Sequence, residues 1–428
     1  MAHRGIMIAG LSSASGKTLT CLGLMRACRN NALDIAAAKT GPDYIDPGFH
    51  FAALGKAAVN LDRFAMPESL IRDLAARQQG DTLIIEGVMG VHDGGTASSA
   101  ALAASLAVPV VLVMDVRSQA ETSAAIAAGI SHSLALEEVS LAGVILNRCR
   151  SARHEAMIRA AMTEKGISVL GAIPEEDGLT VPSRHLGLVQ AGDLPDLDPL
   201  LEMAAETIAA HVDISSLLAA ATPLATAGNA EAMPPPHSHI AVARDAAFGF
   251  AYPHLLEGWQ RQGARLDFFS PLADETPAAG SGFIFLPGGY PELHLGKLVH
   301  SRRFFESLRD AAADQIPVYG ECGGYMVLGK AIIDSGGSRV EMAGLLDLET
   351  SFASPKRHLG YRQMENIGTA VLPRKMRGHE FHYTRAIHEN GTPLFNASDR
   401  DANDLGSCGL TAGSVAGSYL HMIAAVSD

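Results

Sequence analysis

Cys322 lies in Glu321-Cys322-Gly323-Gly324, directly after the strand-like run Ile316 to Gly320 and before the helix-like Tyr325-Met326-Val327-Leu328. A sharp strand-to-helix turn of this kind holds a nucleophile out of the sheet, and small neighbours leave room for a substrate. Most free cysteines are only small buried apolar residues, so the rest of the chain has to decide. Gly282 to Phe285 reads as a strand and leads into Leu286-Pro287-Gly288-Gly289-Tyr290, a turn whose backbone N–H groups could face an oxyanion. A histidine, His421, closes the run Gly417-Ser418-Tyr419-Leu420-His421 near the other end.

A second set of chemical residues opens the chain. Gly10-Leu11-Ser12-Ser13-Ala14-Ser15-Gly16-Lys17-Thr18 follows the strand-like Ile6 to Ala9 and precedes the helix-like Leu19 to Cys28. In that setting loop N–H groups surround phosphate oxygens, Lys17 reaches the terminal phosphates and Thr18 can hold magnesium. The spacing departs from the usual phosphate loop by one residue, Gly10 being early and Leu11 standing where glycine is expected; an ordinary Gly/Ser turn is the alternative. Glu86 ends the strand-like Thr82 to Ile85, where a magnesium ligand belongs. Lys39-Thr40-Gly41-Pro42-Asp43-Tyr44-Ile45-Asp46-Pro47 puts Asp43 and Asp46 in a constrained turn, either as site residues or as solvated acids. Asn147, after Val144-Ile145-Leu146, could bond an adenine edge or cap a helix.

These residues need elements to position them. From Gly5 to about Ile173, apolar runs at 6–9, 35–38, 82–85, 108–113, 144–146 and 168–170 alternate with helix-like stretches, which implies a parallel sheet covered on both faces. Residues 212–238, rich in Ala, Thr, Ser and Pro, read as a linker, with domains at 1–211 and 239–428. At 428 residues, 47% hydrophobic and 18% charged, the chain is long enough for two or three globular units. A net charge of -13 leaves no basic excess to neutralise nucleic-acid phosphates. The five scattered cysteines suggest neither a disulfide framework nor a zinc site, and fit a reducing cytoplasm. No signal peptide or membrane span is expected.

Taken together, the phosphate loop, the Lys39 to Pro47 block, Asn60-Leu61-Asp62, Glu86 to Gly90, Leu286 to Glu292, Tyr319 to Met326 and Gly417 to His421 resemble the cobyrinate or hydrogenobyrinate a,c-diamide synthases of vitamin B12 synthesis, along nearly the whole chain. The resemblance implies two α/β domains, an N-terminal P-loop parallel-sheet domain similar to dethiobiotin synthetase and a C-terminal class I glutamine amidotransferase domain. It implies that Cys322 attacks the glutamine amide, that His421 is base and acid, and that N–H groups near Gly289 and Gly323 hold the oxyanion. ATP would be held by Ser15, Gly16, Lys17, Thr18 and Asn147. Magnesium would be held by Thr18, Asp46 and Glu86, with Asp43, Tyr44 and Asp46 orienting the corrin substrate. The a and c carboxylates would be phosphorylated in turn and each phosphate displaced by ammonia. A homodimer is a further expectation.

Ordinary glutamine amidotransferases carry an acid two residues after the histidine, and here that residue is Ile423. A Cys–His dyad is therefore expected, with Glu380 as a candidate stand-in for the acid. His379 and His382 are expected to touch substrate or pack, since two histidines without a third ligand make a weak metal site. The alternatives are a cobyric acid synthase acting on other corrin carboxylates and a P-loop switch protein with a structural Cys322. The Ala- and Gly-rich composition is similar to that of enzymes of the aerobic route, which favours the cobalt-free substrate.

Overall fold

The computed structural model describes residues 3–175, 190–194, 196–226, 230 and 232–426. Chain contacts divide it into Met1–Glu231 and Ala232–Asp428.

In the first unit, β-branched and small apolar residues build a parallel sheet. Its strands run in the order Val59–Leu61, Ile35–Thr40, Thr82–Glu86, Arg4–Gly10, Val110–Asp115, Leu141–Cys149 and Val169–Pro174. Every expected strand is present. The three-residue edge strand Val59–Leu61 escapes the sequence reading because it is too short to show a pattern. Ile6, Ile8, Ile84, Val111, Val113 and Ile145 stack on Leu22 and Met25 of helix Lys17–Asn30 to form the core. The order reverses beside Arg4–Gly10, so the loops after Arg4–Gly10 and Thr82–Glu86 open at adjacent carboxyl ends, where ligands bind open parallel sheets.

Part of the expected linker is built structure. Helix Ile214–Ala219 is capped by Asp213, whose carboxylate accepts the Ser216 N–H, and Thr222–Pro223 pairs antiparallel with Arg4 and Gly5. Leu217 and Ala221 are buried in the core of the first unit. Composition conceals this because Ala and Ser serve a short buried helix as readily as a spacer. Residues 227–229 and 231 of the same stretch lie outside the described residues.

The second unit has a ten-stranded sheet. Arg265–Phe269, His239–Ala243, Phe283–Leu286, Val318–Glu321 and Val415–Ser418 are parallel neighbours, and antiparallel strands continue it through Asp404–Ala412, Thr392–Ser398, His358–Asn366 and Lys375–His382 to Leu420–Ala425. Only Tyr419 separates Val415–Ser418 from Leu420–Ala425, which is the last strand in that order. The antiparallel part therefore curls back and returns His421 to the carboxyl end of Val318–Glu321, the strand that delivers Cys322. Among the described residues no helix is long and apolar enough to cross a membrane, and the five cysteines are free.

Candidate active site

The turn at Cys322 is strained. Its backbone sits at φ 46°, ψ -102°, a region that non-glycine residues avoid, and helix Gly323–Leu328 begins at the next residue. The Cys322 N–H donates to Ser418 O at 2.8 Å and anchors the strained peptide to the neighbouring strand. Glycine follows for steric reasons: a Cβ on Gly324 would lie 2.0 Å from Leu286 O, so the helix packs directly on the strand Phe283–Leu286. A Cβ on Gly323 would lie 3.0 Å from Gly289 N, which brings the two expected oxyanion donors together. Gly289 itself has φ 159° and passes so close to Ala247 O that any side chain would clash.

Cys322 is 4% exposed, and its thiol lies 3.7 Å from the Phe381 carbonyl oxygen. Burial pushes the thiol well above its usual pKa, and the charges of Glu292, Glu321 and Glu380 add to this against one N–H from Gly323. The resting sulfur is therefore a neutral thiol. His421 is 1% exposed and rests edge-on against the Gly288 turn, where a Cβ on Gly288 would stand 2.4 Å from its Cε1.

The acid beside His421 is Glu321, not Glu380. Glu321 Oε2 lies 3.6 Å from His421 Nδ1, and Oε1 accepts the Met422 N–H at 3.0 Å. Glu380 is committed elsewhere, receiving Arg362 Nε at 2.7 Å and meeting His382 Nε2 at 2.9 Å. Burial pushes the Glu380 carboxyl up, but His382 and Arg362 outweigh it and hold it down at about 2. His382 stacks on Tyr419 at 3.9 Å and on His358 at 4.6 Å. His358, Glu380 and His382 have metal-ligand spacing, but lone pairs lie in the ring planes and those of two parallel rings do not converge on one ion. Arg362 also already neutralises the carboxylate. His379 pairs in register with His421, and burial, with His421 and Arg362 nearby, pushes it down to about 3.

In the first unit the loop after Gly10 leads into helix Lys17–Asn30 through Gly16, whose φ of 91° suits glycine alone. Asn147 Nδ2 donates to Ser15 O at 2.9 Å and fixes the loop, while Lys17 Nζ donates to Ser12 O at 2.7 Å. A cavity of about 340 Å³ opens beside Gly16, Thr18, Asn147 and Arg148. Burial and then Lys39 push the Lys17 ammonium below its usual pKa.

Glu86 organises this end. It accepts Thr18 Oγ1 at 2.6 Å and Lys39 Nζ at 2.9 Å, and meets the fully buried His50 at 2.6 Å. Burial raises the Glu86 carboxyl, but Lys39, His50 and Thr18 overcome this and hold it ionised. Asp46 lies 2.5 Å from Lys39, and burial with Asp43 and Glu86 pushes it up. Asp43 Oδ1 accepts the N–H groups of Ile45 and Asp46 and so shapes the turn before helix Asp46–Leu54, in which Tyr44 is half-buried. Asn60 Nδ2 donates to the carbonyls of Gly41 and Asp43 and pins the same loop.

Lys39 and His50 touch Glu86, and Glu321 lies beside His421, contacts that the sequence reading misses. A lysine or acid at the carboxyl end of an otherwise apolar strand is a usable signal for the first and third. His50, inside Gly48-Phe49-His50-Phe51, offers none.

Known proteins agree with this two-part architecture. The model of the CobQ/CobB/MinD/ParA nucleotide binding domain matches residues 6–189, and that of the CobB/CobQ-like glutamine amidotransferase domain matches residues 239–428. The chain is 47% identical to the hydrogenobyrinate a,c-diamide synthase of Brucella anthropi, with 98% of each chain covered. It is 47% identical to that of Rhizobium meliloti, and 45% to that of Rhodobacter capsulatus, covering 98% of this chain and 99% of each relative. With a nucleotide-binding unit and an amidotransferase unit aligned end to end on these relatives, the chain belongs to the hydrogenobyrinate a,c-diamide synthase family.

Proposed function

We propose that the chain amidates the a and c carboxylates of hydrogenobyrinic acid, using ATP and glutamine. The observation that carries this reading is identity of 47% running through both units to relatives of that name. A carboxylate is a poor electrophile. Its oxygen attacks the γ-phosphorus of ATP, ADP leaves, and the acyl phosphate then loses phosphate to ammonia, giving the amide. Lys17 and the loop N–H groups around Ser15 and Gly16 bind the phosphates, and Asn147 holds the loop in that shape.

The oxygen donors Thr18 Oγ1 and Glu86 Oε1, 2.6 Å apart, suit a hard dication, and Ser15 Oγ is buried with no hydrogen-bond partner among the described residues. Thr18 and Glu86 would hold magnesium, with Asp46 close by, and the ion would offset phosphate charge. Lys39 stays a cation between Glu86 and Asp46, placed to steady the growing charge on the transferred group. Asp43 and Tyr44 frame the loop that faces the substrate.

In the second unit Cys322 attacks the glutamine amide carbon and His421 takes the thiol proton. The N–H groups of Gly289 and Gly323 receive the oxyanion, and His421 returns the proton to departing ammonia. A cavity of about 680 Å³ opens beside Tyr419 and His382, and in its wall Arg362 and Glu380 pair with each other. Free thiols throughout fit a reducing cytoplasm.

The test is to incubate the protein with Mg-ATP, glutamine labelled at its amide nitrogen, and equal amounts of hydrogenobyrinic and cobyrinic acids, followed by mass spectrometry. A doubly labelled diamide from hydrogenobyrinic acid is expected. Amidation of other carboxylates, or ATP consumption without any amide, contradicts the reading.

A further inference from the structure

The amidotransferase site lacks the acid that normally follows its histidine, since Ile423 occupies that place and is fully buried. We propose that Glu321, the residue just before the nucleophile, supplies the missing function and positions His421. The proposal rests on the assignment of Cys322 and His421 as nucleophile and base.

The geometry has a specific sense. Glu321 is 2% exposed, and its backbone is held in the central parallel strand opposite Ser418. Its Oε1 is occupied by the Met422 N–H at 3.0 Å, so Oε2 is the oxygen turned to His421 Nδ1 at 3.6 Å. Catalytic hydrogen bonds in ligand-free sites are commonly this long and tighten when substrate binds. A carboxylate at Nδ1 keeps that nitrogen protonated and leaves the lone pair on Nε2, the tautomer that can accept a proton from the thiol. It also stabilises the imidazolium formed when the proton moves. Because the same carboxylate bonds the peptide N–H immediately after His421, closing the 3.6 Å gap ties the ring to its own strand. One side chain adjacent to the nucleophile thus does from the sheet what a downstream acid does in other enzymes of this architecture.

Glu321→Gln separates this role from a structural one. The Met422 N–H requires an acceptor, so the amide oxygen takes the Oε1 place and the NH₂ group falls opposite Nδ1. The NH₂ donates to Nδ1 and forces the proton onto Nε2, the wrong tautomer. Shape, volume and the Met422 bond survive. Glutaminase kcat is expected to fall by about 10²–10⁴-fold, by analogy with tautomer-reversing changes in other triads. The KM for glutamine and the melting temperature should hold, as should synthesis from free ammonia. A kcat within threefold of wild type overturns the proposal, as does equal loss of the ammonia-dependent reaction. Should Glu321→Gln not fold, Glu321→Asp and Glu321→Ala carry the test. The retained carboxylate predicts at least tenfold higher kcat in Asp than in Ala, and equal rates overturn the role. Cys322→Ser distinguishes the underlying assignment: glutaminase activity surviving there removes the nucleophile itself, whereas its loss with Glu321→Gln unaffected removes only the role of Glu321.

Discussion

Gly288→Ala tests how finely His421 is placed. The residue has no side chain, and a Cβ added there would stand 2.4 Å from His421 Cε1 and 3.3 Å from both ring nitrogens. Ordinary carbon–carbon contact is about 3.5 Å, so the imidazole must retreat by about 1 Å. Gly288 cannot yield easily, because its carbonyl accepts the Phe250 N–H at 2.9 Å and a strand-like bridge fixes the turn. A shift of about 1 Å in a reacting group costs on the order of 10²-fold in rate, or about 3 kcal/mol of barrier. The assay is steady-state release of glutamate from glutamine, with ammonia-dependent amidation measured on the same preparation as a control for the other unit. A roughly hundredfold fall in glutaminase kcat is expected, with ammonia-dependent synthesis unchanged. A glutaminase kcat within threefold of wild type would refute the argument that the Gly288 turn and the imidazole share that space.

Cys322→Ser should abolish glutamine-dependent synthesis while sparing synthesis from ammonia, as followed by product mass. Lys17→Ala should stop amide formation from either nitrogen source, because the carboxylate is no longer activated; retained turnover would contradict the phosphate-loop role. Acid should loosen the second unit through His254. Burial pushes its imidazole from 6.5 down to about 4, and its Nε2–H donates to Ile423 O at 2.8 Å. The unfolded state therefore binds the proton first. The stability present above pH 6.5 is lost as pH falls towards 4, by about 3 kcal/mol at full extent. Urea titrations across that range should show the loss, and His254→Gln should flatten it; an unchanged slope in the variant would assign the acid sensitivity to other groups.

The parallel strands are legible in the sequence because buried strands are written as continuous apolar runs. The motifs at Cys322 and Lys17 are legible because turns that serve chemistry need small residues at fixed places. The contacts between distant segments are not. Nothing in the spacing of residues 321 and 421 says that the sheet curls to bring Glu321 to His421, so the sequence directs the search for an acid to Glu380, which the fold gives to Arg362 and His382. Lys39 and His50 converge on Glu86 from separate elements for the same reason. The helix Ile214–Ala219 is hidden by a composition that suits a spacer and a small buried helix equally.

If each carboxylate is phosphorylated before it meets ammonia, one of its oxygens must leave with the phosphate, and isotope transfer reads that directly. Hydrogenobyrinic acid carrying heavy oxygen in its carboxylates would be turned over with unlabelled Mg-ATP and glutamine, and the released phosphate analysed by mass spectrometry. One heavy oxygen in phosphate for every amide formed is the predicted result. Phosphate free of the label, with diamide accumulating, would rule out an acyl phosphate.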